Sequence, residues 1–309
     1  MKILITGGAG YIGTVLTEQL LARGDEVVVY DSLVFGAGPV LPFFRNPKYS
    51  LVADDIRNAT HLEQAVKGVD AVIHLAAIVG YPACDRDPRT TQEVNVHGTM
   101  NVKRAAAGRP IVFASTGSVY GKLEVLCSEN VDPNPLTFYG QSKLYAETIL
   151  LENGDPVIYR FATAFGLSPR LRLDLLPNTF TYQAVKERTL VIYEAHFRRT
   201  FLHVQDIARA LIHAVDNYDA MKGQVFNCGD NSMNTTKRDL AEMIGQYVTY
   251  DRHYVGNGHD PDVRDYEVDY SRLNSTGYHA TVLLEQGIAE MVRAFQHLSL
   301  PNPYQNAVR

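Results

Sequence analysis

Short apolar runs alternate with longer amphipathic stretches through the first half of this 309-residue chain. The apolar runs predict strands, and stretches whose apolar positions recur at helical spacing predict helices. The predicted strands cover residues 2–6, 26–30, 49–52, 71–75, 111–114 and 157–161, and the helices between them cover 13–22, 60–66, 89–107 and 142–152. This alternation predicts an α/β fold whose central sheet is parallel, doubly wound and covered on both faces.

The pattern becomes less regular after Gly166. Loop signals at residues 168–170 and 176–178 precede a predicted helix from about 179 to 186. Further amphipathic helices are predicted over 204–215, 237–246 and 282–295. We expect this part of the chain to form a smaller, mixed α/β lobe.

Composition removes several functional classes. With 46% hydrophobic residues and a net charge of -5, the chain can bury a large core and has no general basic character for nucleic acid. Cys84, Cys127 and Cys228 are odd in number and far apart, which favours reduced thiols and a cytoplasmic protein, and the histidines show no zinc-type spacing, so no metal site is expected. No apolar run is long enough to predict a membrane span.

A glycine-rich segment, Thr6-Gly-Gly-Ala-Gly-Tyr-Ile-Gly13, follows the first predicted strand and opens the first helix. Glycines in this context form a tight turn and let the backbone approach a pyrophosphate at the helix N-terminus. Asp31 ends the second strand, where a carboxylate accepts hydrogen bonds from ribose hydroxyls and repels a 2′-phosphate. The glycine loop and Asp31 together therefore predict a dinucleotide site that favours NAD over NADP. The alternatives are that the glycines form a plain tight turn and that Asp31 is a solvated turn residue.

Three further segments complete a resemblance: Asp54-Asp-Ile-Arg57, His74-Leu-Ala-Ala77 and Asn95-Val-His-Gly-Thr99. In their order and spacing they make the chain similar to extended short-chain dehydrogenase/reductases of the nucleotide-sugar epimerase/dehydratase family. The resemblance implies an NAD-binding Rossmann domain. It also implies cofactor contacts from Gly7, Gly10, Tyr11, Ile12, Gly13, Asp31, Asp55, Ile56, Leu75, Ala76, Ala77, Asn95, Tyr139 and Lys143.

The candidate catalytic group combines a strand end with a helix. Thr116 follows the fifth predicted strand, and Tyr139 and Lys143 stand four positions apart, so that they share one helical face. A phenol is a poor base at neutral pH, but an adjacent ammonium and a positive nicotinamide ring stabilise its phenolate. In the family such a tyrosine removes the sugar hydroxyl proton, the threonine bonds that hydroxyl, and the lysine also holds the cofactor ribose. The alternative is a surface Tyr–Lys pair.

Family dehydratases that eliminate water across C5 and C6 carry an Asp-Glu pair directly after the catalytic threonine. This chain has Gly117 and Ser118 there, and neither transfers protons at neutral pH. The expected chemistry is therefore oxidation at a sugar carbon, usually C4.

Substrate contacts follow from the same resemblance. Arg199 resembles the arginine that grips the diphosphate, Asn178 resembles a phosphate contact, and Arg264 is a second candidate clamp or a surface ion-pair partner. Thr163 stands where the family has a substrate-binding asparagine, so that contact must differ.

Several alternatives stay open at this point. The expected activity is nucleotide-sugar 4-epimerisation, with net C4 dehydrogenation of a GDP-linked sugar as the alternative, because several loops resemble a GDP-heptose 4-dehydrogenase-like branch. A non-catalytic NAD-binding regulator is the third reading. We expect residues 1–165, with a return segment at about 199–226, to bind NAD, and residues 166–198 and 227–309 to bind the nucleotide sugar. The resemblance also implies a homodimer through the helices at 90–107 and 142–152.

Overall fold

A computed structural model describes residues 1–122, 125–256 and 265–298. Seven parallel strands form its central sheet in the order β10-β6-β5-β4-β1-β2-β3. They are β1 (Lys2–Thr6), β2 (Glu26–Asp31), β3 (Tyr49–Ala53), β4 (Ala71–His74), β5 (Ile111–Thr116), β6 (Val157–Phe161) and β10 (Gln224–Cys228). The predicted doubly wound α/β fold is confirmed, with β10 as a seventh strand that the apolar pattern did not reveal.

Each strand of the central sheet supplies two cores because successive side chains point to opposite faces. Ile3 and Ile5 belong to one buried cluster with residues of the helices at 11–23 and 204–216, whereas Leu4 belongs to the other cluster with residues of the helices at 59–65, 99–106 and 138–151. The helices are α1 (Tyr11–Arg23), α2 (Ala59–Ala65), α3 (Tyr81–Arg86), α4 (Pro88–Gln92), α5 (Thr99–Ala106), α6 (Phe138–Leu151), α7 (Leu176–Lys186), α8 (Val204–Asp216), α9 (Tyr218–Met221), α10 (Lys237–Gly245), α11 (Ser271–Asn274) and α12 (Leu284–His297).

The helix predicted over 89–107 is interrupted. A π-helical turn, Glu93–Gly98, separates α4 from α5. Such turns occur frequently at functional sites. Here Gly98 lies against Ile56, whose Cδ1 atom would be 2.5 Å from a Cβ at position 98. The locally widened helix thus fits closely against the segment after β3.

Two smaller sheets lie beyond the central one. The first has the order β11-β9-β7 and the second pairs β12 with β8. Their strands are β7 (Thr163–Phe165), β8 (Thr189–Tyr193), β9 (Arg198–His203), β11 (Asn234–Thr236) and β12 (Asp251–Val255). The mixed α/β character expected after Gly166 is confirmed, and the exact division into two functional parts stays a prediction.

The order of the central strands creates a crevice. The chain winds from β1 to β2 and β3 on one side and from β4 to β5 and β6 on the other, so the winding reverses between β1 and β4. Ligands of open parallel sheets bind at the carboxyl ends of the strands at such a reversal. The three cysteines are buried and unbridged, and no helix in the described ranges is long and apolar enough to cross a bilayer.

Candidate active site

A cavity of about 1230 Å³ opens at the reversal point of the sheet. It exceeds the roughly 300–1,000 Å³ of an ordinary small-molecule site, which suits two large ligands side by side. Most of the residues predicted from the sequence line it: Gly7, Gly10, Tyr11, Ile12, Gly13, Asp31, Asp55, Ile56, Leu75, Ala76, Ala77, Thr116, Tyr139, Lys143, Thr163 and Arg199.

The glycine loop leaves no room for side chains. Gly7 has φ +76°, and a Cβ there would stand 2.6 Å from the backbone nitrogen of Ala76. A Cβ on Gly13 would come within 2.4 Å of the Gly7 carbonyl oxygen. Close contact between α1, the loop and the β4 end therefore requires glycine, and it exposes the first turn of α1 to the cavity. This geometry fits the pyrophosphate of a dinucleotide.

Asp31 lies at the end of β2, beside the glycine loop. Its carboxylate accepts hydrogen bonds from the backbone N–H groups of Ala9, at 3.0 Å, and Leu33, at 2.8 Å. Burial raises the pKa of Asp31, and the two hydrogen bonds oppose that effect. A carboxylate held in this way can accept ribose hydroxyls, as predicted for NAD.

The predicted adenine pair and Asn95 have different surroundings. The Asp55 carboxylate is paired with Arg57 at the cavity wall, and Ile56 is buried there. The Asn95 side chain is buried behind the wall, where it accepts from the Ile78 backbone N–H at 2.8 Å and donates to the Ile78 carbonyl at 2.9 Å. A direct cofactor contact from this side chain does not fit the structure, because both of its polar atoms serve to hold Ile78 at the cavity.

His74, at the end of β4, supports the floor of the site. Its ring nitrogens are 2.7 Å from the Thr6 hydroxyl and 3.0 Å from the Thr99 hydroxyl. Burial, together with the Lys143 ammonium, lowers the pKa of His74 to about 3. The imidazole is therefore neutral and connects β1, β4 and α5 without taking part in proton transfer.

Helix α6 presents the Tyr–Lys pair. The Thr137 side chain accepts a hydrogen bond from the Gly140 N–H at 3.1 Å, and this cap begins the helix at Phe138, four residues earlier than predicted. Tyr139 thus stands in the first turn at the cavity. Lys143 lies one turn further on, where it is 3% exposed, and its ammonium is 4.0 Å from the centroid of the Phe113 ring.

The charge of Lys143 depends on a carboxylate behind it. Burial lowers the pKa of Lys143 to about 7, and Glu147 opposes this shift. Glu147 is itself 2% exposed and accepts hydrogen bonds from Arg160, the shortest at 2.7 Å, and from Ser115. The Glu147 carboxylate, one helical turn away, thus offsets part of the cost of burying the ammonium form.

Thr116 caps the short 3₁₀ turn that follows β5. Its Oγ1 atom accepts from the Ser118 N–H at 3.2 Å and lies 3.2 Å from the Ser118 hydroxyl. Gly117 and Ser118 are the positions where an acid–base pair would be needed for water elimination. Ser118 places a second hydroxyl beside that of Thr116, and neither Gly117 nor Ser118 carries a carboxylate.

The predicted substrate residues divide into three groups. Arg199, 3% exposed, and Thr163 line the cavity. Asn178 does not reach it with its side chain, because the amide oxygen accepts from the Gly166 N–H at 3.0 Å and the amide nitrogen donates to the Arg172 carbonyl at 2.8 Å. A side-chain contact from Asn178 to substrate is thus not supported by its position. Arg264 lies outside the described residues.

Arg172 is a cavity residue that the sequence did not single out. It is paired with Asp174 at 2.5 Å, and its guanidinium and the phenol of Tyr139 interact electrostatically. A Cβ on Gly80 would lie 4.0 Å from Arg172, so the segment before α7 faces the loop after β4. Loop signals in the sequence marked this segment as irregular without showing that it crosses the cleft.

Together these features define an α/β protein with a dinucleotide site beside a Thr–Tyr–Lys group. The NAD dependent epimerase/dehydratase family matches residues 3–229. The chain belongs to this family, and it is therefore an NAD-dependent enzyme. The expectation of NAD as cofactor is confirmed, and the assignment of its phosphates to the glycine loop and of its ribose hydroxyls to Asp31 and Lys143 stays a prediction.

Individual relatives show the range of chemistry in the family. UDP-glucuronic acid decarboxylase 1 of Arabidopsis thaliana is 28% identical over 96% of this chain and 70% of its own. A putative UDP-glucose 4-epimerase of Methanocaldococcus jannaschii is 28% identical over 94% of this chain and 97% of its own. The solved UDP-glucuronic acid 4-epimerase of Bacillus cereus, with UDP-glucuronic acid and NAD, superimposes with a TM-score of 0.86, 26% identity and coverage of 97% of this chain and 100% of its own.

Proposed function

We propose that this protein is a nucleotide-sugar 4-epimerase. The observation that carries the proposal is that Thr116, Tyr139 and Lys143 share one cavity with the glycine loop and Arg199. Bound NAD would supply a hydride acceptor for the hydrogen of C4 and, once reduced, the hydride donor to the opposite face of C4. Tyr139 takes the proton of the sugar C4 hydroxyl, which Thr116 holds by a hydrogen bond, and the Lys143 ammonium stabilises the phenolate.

The sugar ring must present both faces in turn for epimerisation. Tyr139 returns the proton to O4 after the 4-keto sugar has rotated in the cavity, and the hydroxyl then has the opposite configuration. The absence of carboxylates at Gly117 and Ser118 supports this activity over water elimination. We further propose that Arg199 holds the diphosphate and that Thr163 contacts the sugar, since both line the same cavity.

A uridine diphosphate sugar is the substrate class that we propose. Support comes from the relatives named above, whose names specify UDP-linked sugars. GDP-linked sugars are the competing class. Thermal shifts with UDP, GDP, CDP and dTDP separate the classes, because a ligand that binds the folded state raises its melting temperature.

Product analysis tests the reaction itself. The purified enzyme is incubated with candidate nucleotide sugars, while reduced cofactor is followed by absorbance and the configuration at C4 by NMR. Inversion without net NADH is expected. Accumulation of NADH and a 4-keto sugar would overturn epimerisation and establish the dehydrogenase alternative.

A Tyr139→Phe variant separates catalysis from cofactor binding. It removes the phenol proton carrier, so turnover should fall by about 10²–10⁴-fold while NADH binding is retained. Unchanged turnover in this variant would refute the assigned role of Tyr139. Loss of activity together with loss of NADH binding would also contradict it, because the phenol would then be a binding group.

The organisation of the chain follows from this proposal. We propose that residues 1–165 and about 199–226 bind the cofactor and that 166–198 and 227–309 bind the substrate. The central sheet supports the first assignment, because β10 returns to it beside β6. Limited proteolysis with and without UDP should protect sites within 166–198, and protection confined to 1–165 would contradict the division.

A homodimer through α5 and α6 is the expected assembly. Met100 on α5 is 40% exposed and Tyr145 on α6 is 63% exposed, which leaves apolar surface on both helices. Light scattering after gel filtration should give twice the chain mass. Tyr145→Glu should then yield monomers, and a dimer unaffected by this change would place the interface elsewhere.

A further inference from the structure

Two loops meet across the rim of the cavity, one after β2 and one before α7. The loop before α7 is fixed to the first turn of α1: the Ser168 hydroxyl donates to the Tyr11 carbonyl at 2.7 Å, and the Tyr11 hydroxyl donates to the Gly166 carbonyl at 2.7 Å. The Arg170 N–H donates to the Ser168 hydroxyl at 3.2 Å. Arg170 is thereby placed next to the glycine fingerprint.

The side chain of Arg170 reaches from this anchor to the other loop. Its guanidinium carbon is 3.8 Å from the centroid of the Phe35 ring, and both residues line the cavity. Phe35 follows Asp31 by four positions, and the Asp31 carboxylate is bonded to Ala9 in the glycine loop. Arg170 therefore extends from a backbone anchor at the start of α1 to the loop that follows Asp31.

The electrostatic surroundings of Arg170 favour an anion. The residue is 7% exposed, and its guanidinium donates to the Leu171 carbonyl at 3.2 Å. No carboxylate is paired with it within the parts of the chain that the structure describes. Burial and the neighbouring Arg172 lower the pKa of Arg170, and the Asp174 carboxylate partly opposes them. A largely buried guanidinium without a carboxylate partner is stabilised when a phosphate group comes within hydrogen-bond reach.

We propose that Arg170 binds the pyrophosphate of NAD and that Phe35 holds the guanidinium in place for this contact. The planar guanidinium of arginine can bind two phosphate oxygens at once, and the face of the Phe35 ring attracts the guanidinium through a cation–π interaction. A cofactor held from both sides of the cleft leaves more slowly. Slow release suits an enzyme that uses the same NAD molecule in successive turnovers. The proposed contact depends only on NAD binding and does not depend on the proposed 4-epimerisation.

The choice of the cofactor over the nucleotide sugar rests on position. Arg170 is anchored to α1, whose first turn faces the cofactor pyrophosphate, and it contacts the loop after Asp31. Arg199, on β9, is the residue proposed for the sugar diphosphate. The two diphosphates would then have separate arginines.

The test measures ligand affinity and needs no turnover. NADH and ADP-ribose affinities and the NADH dissociation rate are determined by fluorescence for the wild type, Arg170→Gln, Arg170→Lys and Phe35→Leu. Arg45→Gln is the matched control, since it removes one exposed cationic side chain from the segment before β3, outside the cavity. Melting curves establish that each variant is folded.

Arg170→Gln should lower the affinities for NADH and ADP-ribose by about 10–100-fold, which is the range for the loss of a hydrogen bond to a charged group. Arg170→Lys should lose less, since it keeps the charge without the fork, and Phe35→Leu should lose about two- to fivefold. Arg45→Gln should leave the affinities within about twofold of the wild type, as for a cation that does not contact the ligand. UDP affinity should not change in any of them.

Two results would overturn the proposal. Unchanged NADH affinity with weaker UDP binding in Arg170→Gln would assign Arg170 to the nucleotide sugar. If the folded Arg170→Gln variant bound NADH as tightly as the wild type does, and UDP as tightly as the wild type does, the guanidinium would have only a structural role. Both results are independent of whether the enzyme inverts C4.

Discussion

Lys143 offers a direct test of the electrostatics of the site through protein stability. Burial lowers the pKa of this ammonium from 10.5 to about 7. That difference corresponds to roughly 5 kcal/mol between the two protonation states. Lys143→Met replaces the lysine side chain with an apolar side chain of similar length. The variant therefore lacks the free-energy cost of burying an ammonium group in the folded protein.

The sign of the effect follows from proton binding. Between about pH 7 and 10.5 the unfolded chain keeps its lysine proton while the folded protein loses it, so the unfolded state binds more protons. The wild type must therefore gain stability relative to Lys143→Met as the pH rises. The lowered pKa of Lys143 destabilises the wild type by about 4 kcal/mol at pH 7 and by about 1 kcal/mol near pH 9.5. The difference in stability between the wild type and Lys143→Met should therefore change by about 3 kcal/mol over this range.

Urea titrations of the cofactor-free proteins at several pH values measure this difference. Other groups that ionise in the same range cancel between wild type and variant. Lys67→Met, which changes an exposed lysine in the turn after α2, serves as the control, and its stability difference from the wild type should hardly vary with pH. A stability difference for Lys143→Met that stayed constant from pH 7 to 9.5 would refute the lowered pKa and with it the account of how this site is charged.

Three further changes test the supporting structure. Glu147→Gln leaves the Arg160 guanidinium buried without its carboxylate, so the free energy of unfolding should fall by roughly 3–5 kcal/mol, and a loss below about 1 kcal/mol in urea titrations would contradict the buried ion pair. Gly7→Ala places a Cβ 2.6 Å from Ala76 at a positive φ, so NADH binding measured by fluorescence should fall at least about tenfold, and normal binding would show that the loop can relax. Asp31→Ser should raise the affinity for NADP relative to NAD, since it removes a carboxylate that repels the 2′-phosphate; an unchanged ratio would exclude Asp31 from the ribose site.

Local patterns in the sequence were sufficient to predict that the glycine loop and Asp31 lie at the cavity. The glycine spacing requires backbone contacts that only glycine permits, and Asp31 comes directly after a strand, so both features can be predicted from neighbouring residues. The start of α6 could also have been predicted, because Thr137 is a good N-cap residue. Recognition of that cap would have placed Tyr139 inside the helix from the beginning.

Other residues could not be assigned locally, because their roles depend on partners far along the chain. Asn95 and Asn178 match family positions, yet their side chains are used to hold Ile78 and Gly166. Whether an amide faces a ligand or a backbone group depends on the packing of segments that are distant in sequence. The strand β10 was missed because its pairing with β6 is likewise non-local.

The sequence by itself determined the parallel α/β fold, the dinucleotide loop and the Thr–Tyr–Lys group, because each depends on the spacing of a few neighbouring residues. The tertiary structure decided which charges meet in the cleft. It brought Arg170 onto Phe35 and buried Lys143 one helical turn from the Glu147–Arg160 pair. Charge–charge energies depend on distance and burial, and neither quantity is encoded in local spacing.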